Sequence, residues 1–266
     1  MTARRITSRP WFLVAPGLLA IAFLVVPLAA LLLESPWGSF AAIVTTPTAL
    51  EALRLSAVTS VTATAIAAVI GIPLAWLLAR EVLPGTRALR ALVIVPLLLP
   101  PVVSGVALLA AFGRRGLVGG PLYDAFGIQF PFSTAGVVLA ETFVAMPFLI
   151  ITLEGAFRSL DRRFEDAAVT LGASSWTVFR RVTLPLIVPS IIAGGVLCWA
   201  RALGEFGATI TFAGNLPGVT QTMPLAVYTA LESDRDVAIA LSVLLLALSV
   251  TVLVALRGHY LRAARP

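Results

Sequence analysis

The sequence predicts an all-α membrane protein of six transmembrane helices with both chain ends on the same side. Three observations carry this expectation. The chain is 59% hydrophobic and 12% charged, with a mean hydropathy of +1.00, and that charged fraction is about half the usual value for a soluble domain. Six apolar stretches are each long enough to cross ~30 Å of hydrocarbon, which takes ~20 helical residues. Finally, the arginines are spread unevenly over the intervening loops.

The first span, near 11–33, follows Arg4, Arg5 and Arg9. It exceeds the ~7–15 apolar residues of a signal peptide and is expected to stay as a signal-anchor. Spans two to four lie near 55–79, 91–112 and 134–153, and spans five and six near 186–206 and 237–256. Between spans four and five runs a charged, helix-forming segment, 154–185. Helices are expected because an open strand edge in lipid would leave backbone groups unpaired. No internal repeat is visible, so residues 1–266 read as one transmembrane domain. Pro and Gly recur inside the spans, at Pro27, Gly71, Pro73, Pro96, Pro100, Pro101, Pro147, Pro189, Gly194 and Gly195. Such residues suit a molecule that rearranges, but they are also common in ordinary membrane helices.

All 19 basic residues are Arg. Fourteen fall on one side: Arg4, Arg5, Arg9, Arg80, Arg87, Arg90, Arg158, Arg162, Arg163, Arg180, Arg181, Arg257, Arg262 and Arg265. The opposite loops hold Arg54, Arg114, Arg115 and Arg235, and Arg201 lies within a span. Both ends and the 154–185 loop are therefore expected in the cytoplasm. The net charge of +6 is accounted for by topology, which removes the nucleic-acid class.

Within the loop, Ser159 or Asp161 can cap a helix ending at Gly172, a residue suited to the left-handed C′ position. Phe164, Ala167, Ala168 and Leu171 recur at i, i+3, i+4 and i+7 and form an apolar face. Arg162, Arg163, Glu165 and Asp166 cover the rest. Ser174 or Ser175 then starts a second helix carrying Trp176 and Phe179, which Leu184-Pro185 is expected to end. By composition, the first helix is either offered to a partner or lies on lipid headgroups.

The order of residues in the loop adds a resemblance. Asp166-Ala167-Ala168, three residues, Gly172, nine residues, then Val182-Thr183-Leu184-Pro185 resembles the signature of ABC-importer permeases, with Asp where Glu is usual. The resemblance implies that this loop docks on a separate ATPase, through Phe164, Asp166, Ala167, Ala168, Leu171, Gly172, Val182, Leu184 and Pro185. Three further segments, Leu97–Gly105, Ala111–Gly116 and Ala202–Thr209 with its continuation to Leu225, resemble the molybdate branch. Sulfate and tungstate permeases share part of the pattern. The resemblance further implies a homodimer with the pore on its axis, two ATPase subunits and an extracytoplasmic oxyanion-binding protein. With one Cys and one His in the chain, no metal cluster is expected, and no cofactor is expected either.

Charges inside the spans cost ~2.5–3.5 kcal/mol each on insertion scales. Arg201 and Glu205, four residues apart, are expected to pair. A second reading has Glu205, Phe206 and Thr209, with Gly207 between them, lining an outer gate, where Arg201 offsets the carboxylate. Glu141 either pairs with Arg201 or stays protonated. Cys198 and His259 are expected to be a packing residue and a solvated tail residue.

An intramembrane enzyme is excluded by inventory: no span contains His, none of the Asp lies in a span, and zinc ligands are lacking. An ion-coupled secondary transporter would draw on Glu141 and Glu205 but has no use for the long charged loop. The chain has no Gly-rich Lys-Ser/Thr phosphate loop, so its energy must come from a partner or a gradient.

Overall fold

The computed structural model describes residues 11–263, with side chains described as far as residue 255. Arg4, Arg5, Arg9 and Arg265, and the side chains of Arg257, His259 and Arg262, lie outside the described residues. Thirteen α-helices run through the described chain. The first six are α1 (Trp11–Leu33), α2 (Phe40–Val44), α3 (Pro47–Arg80), α4 (Thr86–Leu98), α5 (Pro101–Phe112) and α6 (Gly119–Phe126). Then come α7 (Thr134–Ser159), α8 (Arg163–Thr170) and α9 (Ser175–Val178), and a π-helical turn, Phe179–Thr183. The chain closes with α10 (Leu184–Leu203), α11 (Gly207–Phe212), α12 (Met223–Leu231) and α13 (Arg235–Ala263). Five helical runs are long and apolar enough to cross a membrane, and the pair α4–α5 makes a sixth if counted as one span.

The expected third span, 91–112, is therefore not one straight helix. It is α4 and α5, bent by 117°. Pro100 pushes Leu99 to an extended backbone (φ −70°, ψ 135°), because its ring clashes with a helical predecessor. Pro101 then sits in the first turn of α5, where the missing N–H costs nothing.

Other boundaries also move. The second span starts at Pro47 rather than 55, since Thr46 caps it by accepting from the Ala49 N–H and proline occupies the first turn. The fourth continues to Ser159. The second loop helix does not end at Leu184-Pro185 but runs on into α10. The Leu184 N–H bonds to the Phe179 carbonyl, five residues back, and this widened turn lets the helix carry Pro185 without a break. The fifth span ends at Leu203 rather than 206, at Gly204.

At the centre is α7, packed against α3 and α10. From α3 it meets a row of small buried residues at every fourth position: Thr59, Ala63, Ala67, Gly71, Ala75 and Ala79. In lipid, where apolar burial does not drive helices together, small residues permit the close backbone approach that packing needs. A Cβ added at Gly71 would come within 3.2 Å of Ile150 Cγ1. Leu149, Ile150, Leu153 and Phe157 of α7 complete this core with Cys198 and Ala202 of α10. By contrast, α1 has no buried residue and touches the bundle mainly at α13.

Candidate docking helix and translocation segment

α10 has 20 residues and separates two polar regions by ~30 Å. At its first end lies α8, whose first turn carries Glu165 and Asp166, the favourable sign at a helix N-terminus. Asp161, not Ser159, serves the start: its Oδ1 accepts from the Arg163 N–H at 3.0 Å, while the Ser159 hydroxyl turns back to the Ala156 carbonyl. Gly172 has φ +86°. Around it, the Gly172 N–H bonds to Val169 O and the Ala173 N–H to Ala168 O, at 2.9 and 3.0 Å, the paired bonds of a Schellman ending. Ser174 starts α9 by accepting from the Thr177 N–H.

No residue of α8 is buried. Phe164 is 57% exposed and Leu171 88%; Trp176 of α9, 68% exposed, stacks on Phe179 with ring centroids 6.1 Å apart. Large apolar groups left exposed on a short polar segment make it a candidate contact surface, for protein or for lipid headgroups. Among the other residues assigned to docking, Asp166, Ala167 and Gly172 are exposed and Ala168 is half-buried. Val182 is also half-buried, Pro185 is exposed, and Leu184 packs on the central core.

The polar side of this region was not singled out by sequence reasoning. Glu165 takes the Arg80 Nη2 donor on both oxygens, at 2.6 and 2.5 Å, and accepts from the Thr183 hydroxyl at 2.6 Å. Beside it Arg90 pairs with Glu154 at 2.6 Å and Glu81 at 3.0 Å, and donates to the Leu78 carbonyl. Arg158 joins the same two carboxylates at 3.0 and 3.7 Å. These ties fasten the ends of α3, α4 and α7. The hydrogen bond from Arg90, with its charge, holds the Glu81 carboxyl below its ordinary value.

At the other end of α10, Arg201 Nη1 and Glu205 Oε2 form an ion pair. Glu205 stands beyond the helix, not on its face, and its Oε1 accepts from the Ala208 N–H at 2.8 Å. One carboxylate thus neutralises Arg201 and serves the start of α11. Glu205 is 1% exposed, and Thr209 fully buried. Gly207 meets α5 directly: an added Cβ would lie 2.4 Å from Pro101 Cβ. Gly105 makes the reciprocal contact, 2.5 Å from Thr211 Cβ. The Leu97–Gly105 and Ala202–Thr209 segments are therefore in contact. Phe206 turns outward onto Tyr228, with ring centroids 5.1 Å apart. It borders a cleft of about 500 Å³ between α12 and α13, with Gly204, Pro224 and Leu245. Glu141 makes no ion pair with Arg201. It accepts from the Thr59 hydroxyl at 2.9 Å, and its other oxygen has no hydrogen-bond partner among the described residues.

A bundle of spanning helices with an exposed amphipathic helix between its central members is the architecture of a multi-span membrane protein. The same fold occurs in a bacterial ABC transporter involved in the import of the acidic polysaccharide alginate. That similarity has a TM-score of 0.74 at 18% identity and covers 96% of both chains. A second crystal structure, of the bacterial alginate transporter in complex with a pentasaccharide-bound periplasmic protein, superposes with a TM-score of 0.72.

Residues 71–265 match the family described as binding-protein-dependent transport system inner membrane component, and the chain belongs to that family. It is 48% identical to the molybdenum transport system permease protein ModB of Mycobacterium tuberculosis over 92% of this chain and 93% of that one. Against ModB of Escherichia coli K12 identity is 50%, over 61% and 71%. The probable sulfate transport system permease protein cysT of Zygnema circumcarinatum is 33% identical over 97% and 91%. The chain is thus the membrane permease of a binding-protein-dependent ABC importer, a multi-pass protein of the cytoplasmic membrane.

Proposed function

We propose that the chain forms the path by which molybdate enters the cell, as a homodimer with two ATPase subunits and an extracytoplasmic binding protein. The observation that carries the substrate is the 48% identity to a molybdenum permease over nearly the full length, against 33% to a sulfate permease. The sulfate similarity supports a second reading, in which sulfate or thiosulfate is the cargo. Tungstate has the same charge and shape as molybdate and is expected to follow it.

Chain ends and α8 face the cytoplasm in this proposal, because the ends of α3 and α7, the start of α4, the start of α8 and the π-helical turn carry Arg80, Arg87, Arg90, Arg158, Arg162, Arg163, Arg180 and Arg181. The exposed Phe164, Leu171 and Trp176 then meet the ATPase, and Asp166, Gly172 and the Val182–Pro185 stretch hold them in place. No residue of the chain acts as a catalyst; ATP is hydrolysed on the partner. Arg201 is already neutralised by Glu205, so the segment around Phe206, Gly207 and Thr209 offers little net charge. A dianion moves through such a region without being trapped, since conduction requires weak binding.

Elemental mass spectrometry of cells with and without the gene, at trace molybdate, tungstate and sulfate, tests this. Loss of molybdenum uptake, with or without tungsten, is expected. Loss of sulfur uptake alone would transfer the protein to the sulfate reading.

A further inference from the structure

Glu165 supplies the polar tie between the body of α8 and the spans. Among the described residues it is the only α8 side chain with a hydrogen bond or ion pair to another element. The helix contributes no buried residue and otherwise rests mainly on α9 and the π-helical turn. Both partners of Glu165 occupy strategic positions. Arg80 is the last residue of α3, and Thr183 is the last of the π-helical turn, immediately before α10. The side chains are well shielded, at 10% exposure for Arg80 and 17% for Glu165, and Thr183 is 1% exposed. A charge-assisted pair so placed is stronger and more directional than a solvated one. The π turn adds an adaptable point at the base of α10.

We infer that Glu165 is a positioning residue that passes movement of α8 to α3 and α10 together, through Arg80 and Thr183. This rests on the proposal that an ATPase grips α8. A push on the exposed face then reaches two long helices at once. One of them, α10, ends ~30 Å away at the Arg201–Glu205 pair. Without the clamp, α8 can still be gripped, but its displacement is lost in the connections on either side.

The test uses the whole complex, purified through a tag on the ATPase, placed in proteoliposomes with its binding protein and supplied with molybdate. Glu165→Gln and Arg80→Gln are expected to keep the ATPase bound and its binding-protein-stimulated hydrolysis near wild type. Molybdate moved per ATP should fall about tenfold, within the usual 5–150-fold range of coupling between sites. Exchanging the charges, as Glu165→Arg with Arg80→Glu, should restore part of the ratio, because the Thr183 hydroxyl can accept as well as donate.

An unchanged ratio in both single variants would overturn the inference. So would loss of the ATPase in the single variants without recovery in the exchange, which would make the pair a folding element only. The underlying proposal fails separately: Leu171→Asp, at the exposed C-terminal cap of α8, should release the ATPase. If it does not, α8 is not the docking site.

Discussion

Arg201 and Glu205 each make the other tolerable. Glu205 is 1% exposed, and a buried charge that loses its partner typically costs ~3–5 kcal/mol. Arg201→Met should therefore lower the melting temperature of the purified protein in detergent by several degrees. Arg201→Met with Glu205→Met should recover much of the loss, because removing both charges also removes the desolvation cost. Glu81 gives a smaller, pH-dependent effect. Its carboxyl titrates below the ordinary value of 4.5 when folded, held down first by the hydrogen bond from Arg90. A lowered folded value favours the native state above pH 4.5 and loses that contribution as the pH falls through it. Glu81→Gln is thus expected to lower stability at pH 7 by an amount that shrinks as the pH is taken below 4.5, as thermal melts over that range would show. At this scale the sequence was only partly legible. The Arg201–Glu205 pair follows from spacing, since four residues bring the groups within reach even though the helix ends between them. The Arg80–Glu165–Thr183 cluster does not, because its members are 85 and 18 residues apart and only the folded bundle brings them together.

Elements were legible where a local rule governs them. Gly172 ends α8 in the left-handed region because its hydrogen bonds demand a conformation that glycine adopts without strain. Gly172→Val would put a β-branched residue there at ~1–3 kcal/mol. Its expected consequence is a complex that remains in the membrane at wild-type level but imports at a fraction of the wild-type rate; normal uptake at equal protein level would count against this role. Proline was the less readable signal. Pro100 and Pro101 break a span by 117°, whereas Pro185 is absorbed by a π turn. The difference lies in whether the preceding helix can open by one residue, which no count of prolines reveals. The row of small residues on α3 is visible as a four-residue spacing, but its partner is identified only by the packing of α7 on it. Ala67→Leu, at a fully buried point of that row, should cost ~1–3 kcal/mol by overpacking, read as a lower melting temperature.

For the whole molecule, composition alone decided the solvent, and the arginine distribution is the argument for orientation. Hydropathy located every long helix, because an apolar run of that length has no other satisfactory environment. Hydropathy gave no warning that the third run would fold back, nor that Glu205 and Thr209 would be buried within the protein. The central claim is that this chain carries molybdate inward when a partner hydrolyses ATP. It is tested most directly in proteoliposomes holding the permease and its ATPase, with binding protein and labelled molybdate on the extracytoplasmic side. The account predicts label accumulating only when ATP is present at the α8 face and the binding protein at the other. Accumulation driven by an ion gradient without ATP, or none with molybdate but ATP-dependent uptake of sulfate, would contradict it.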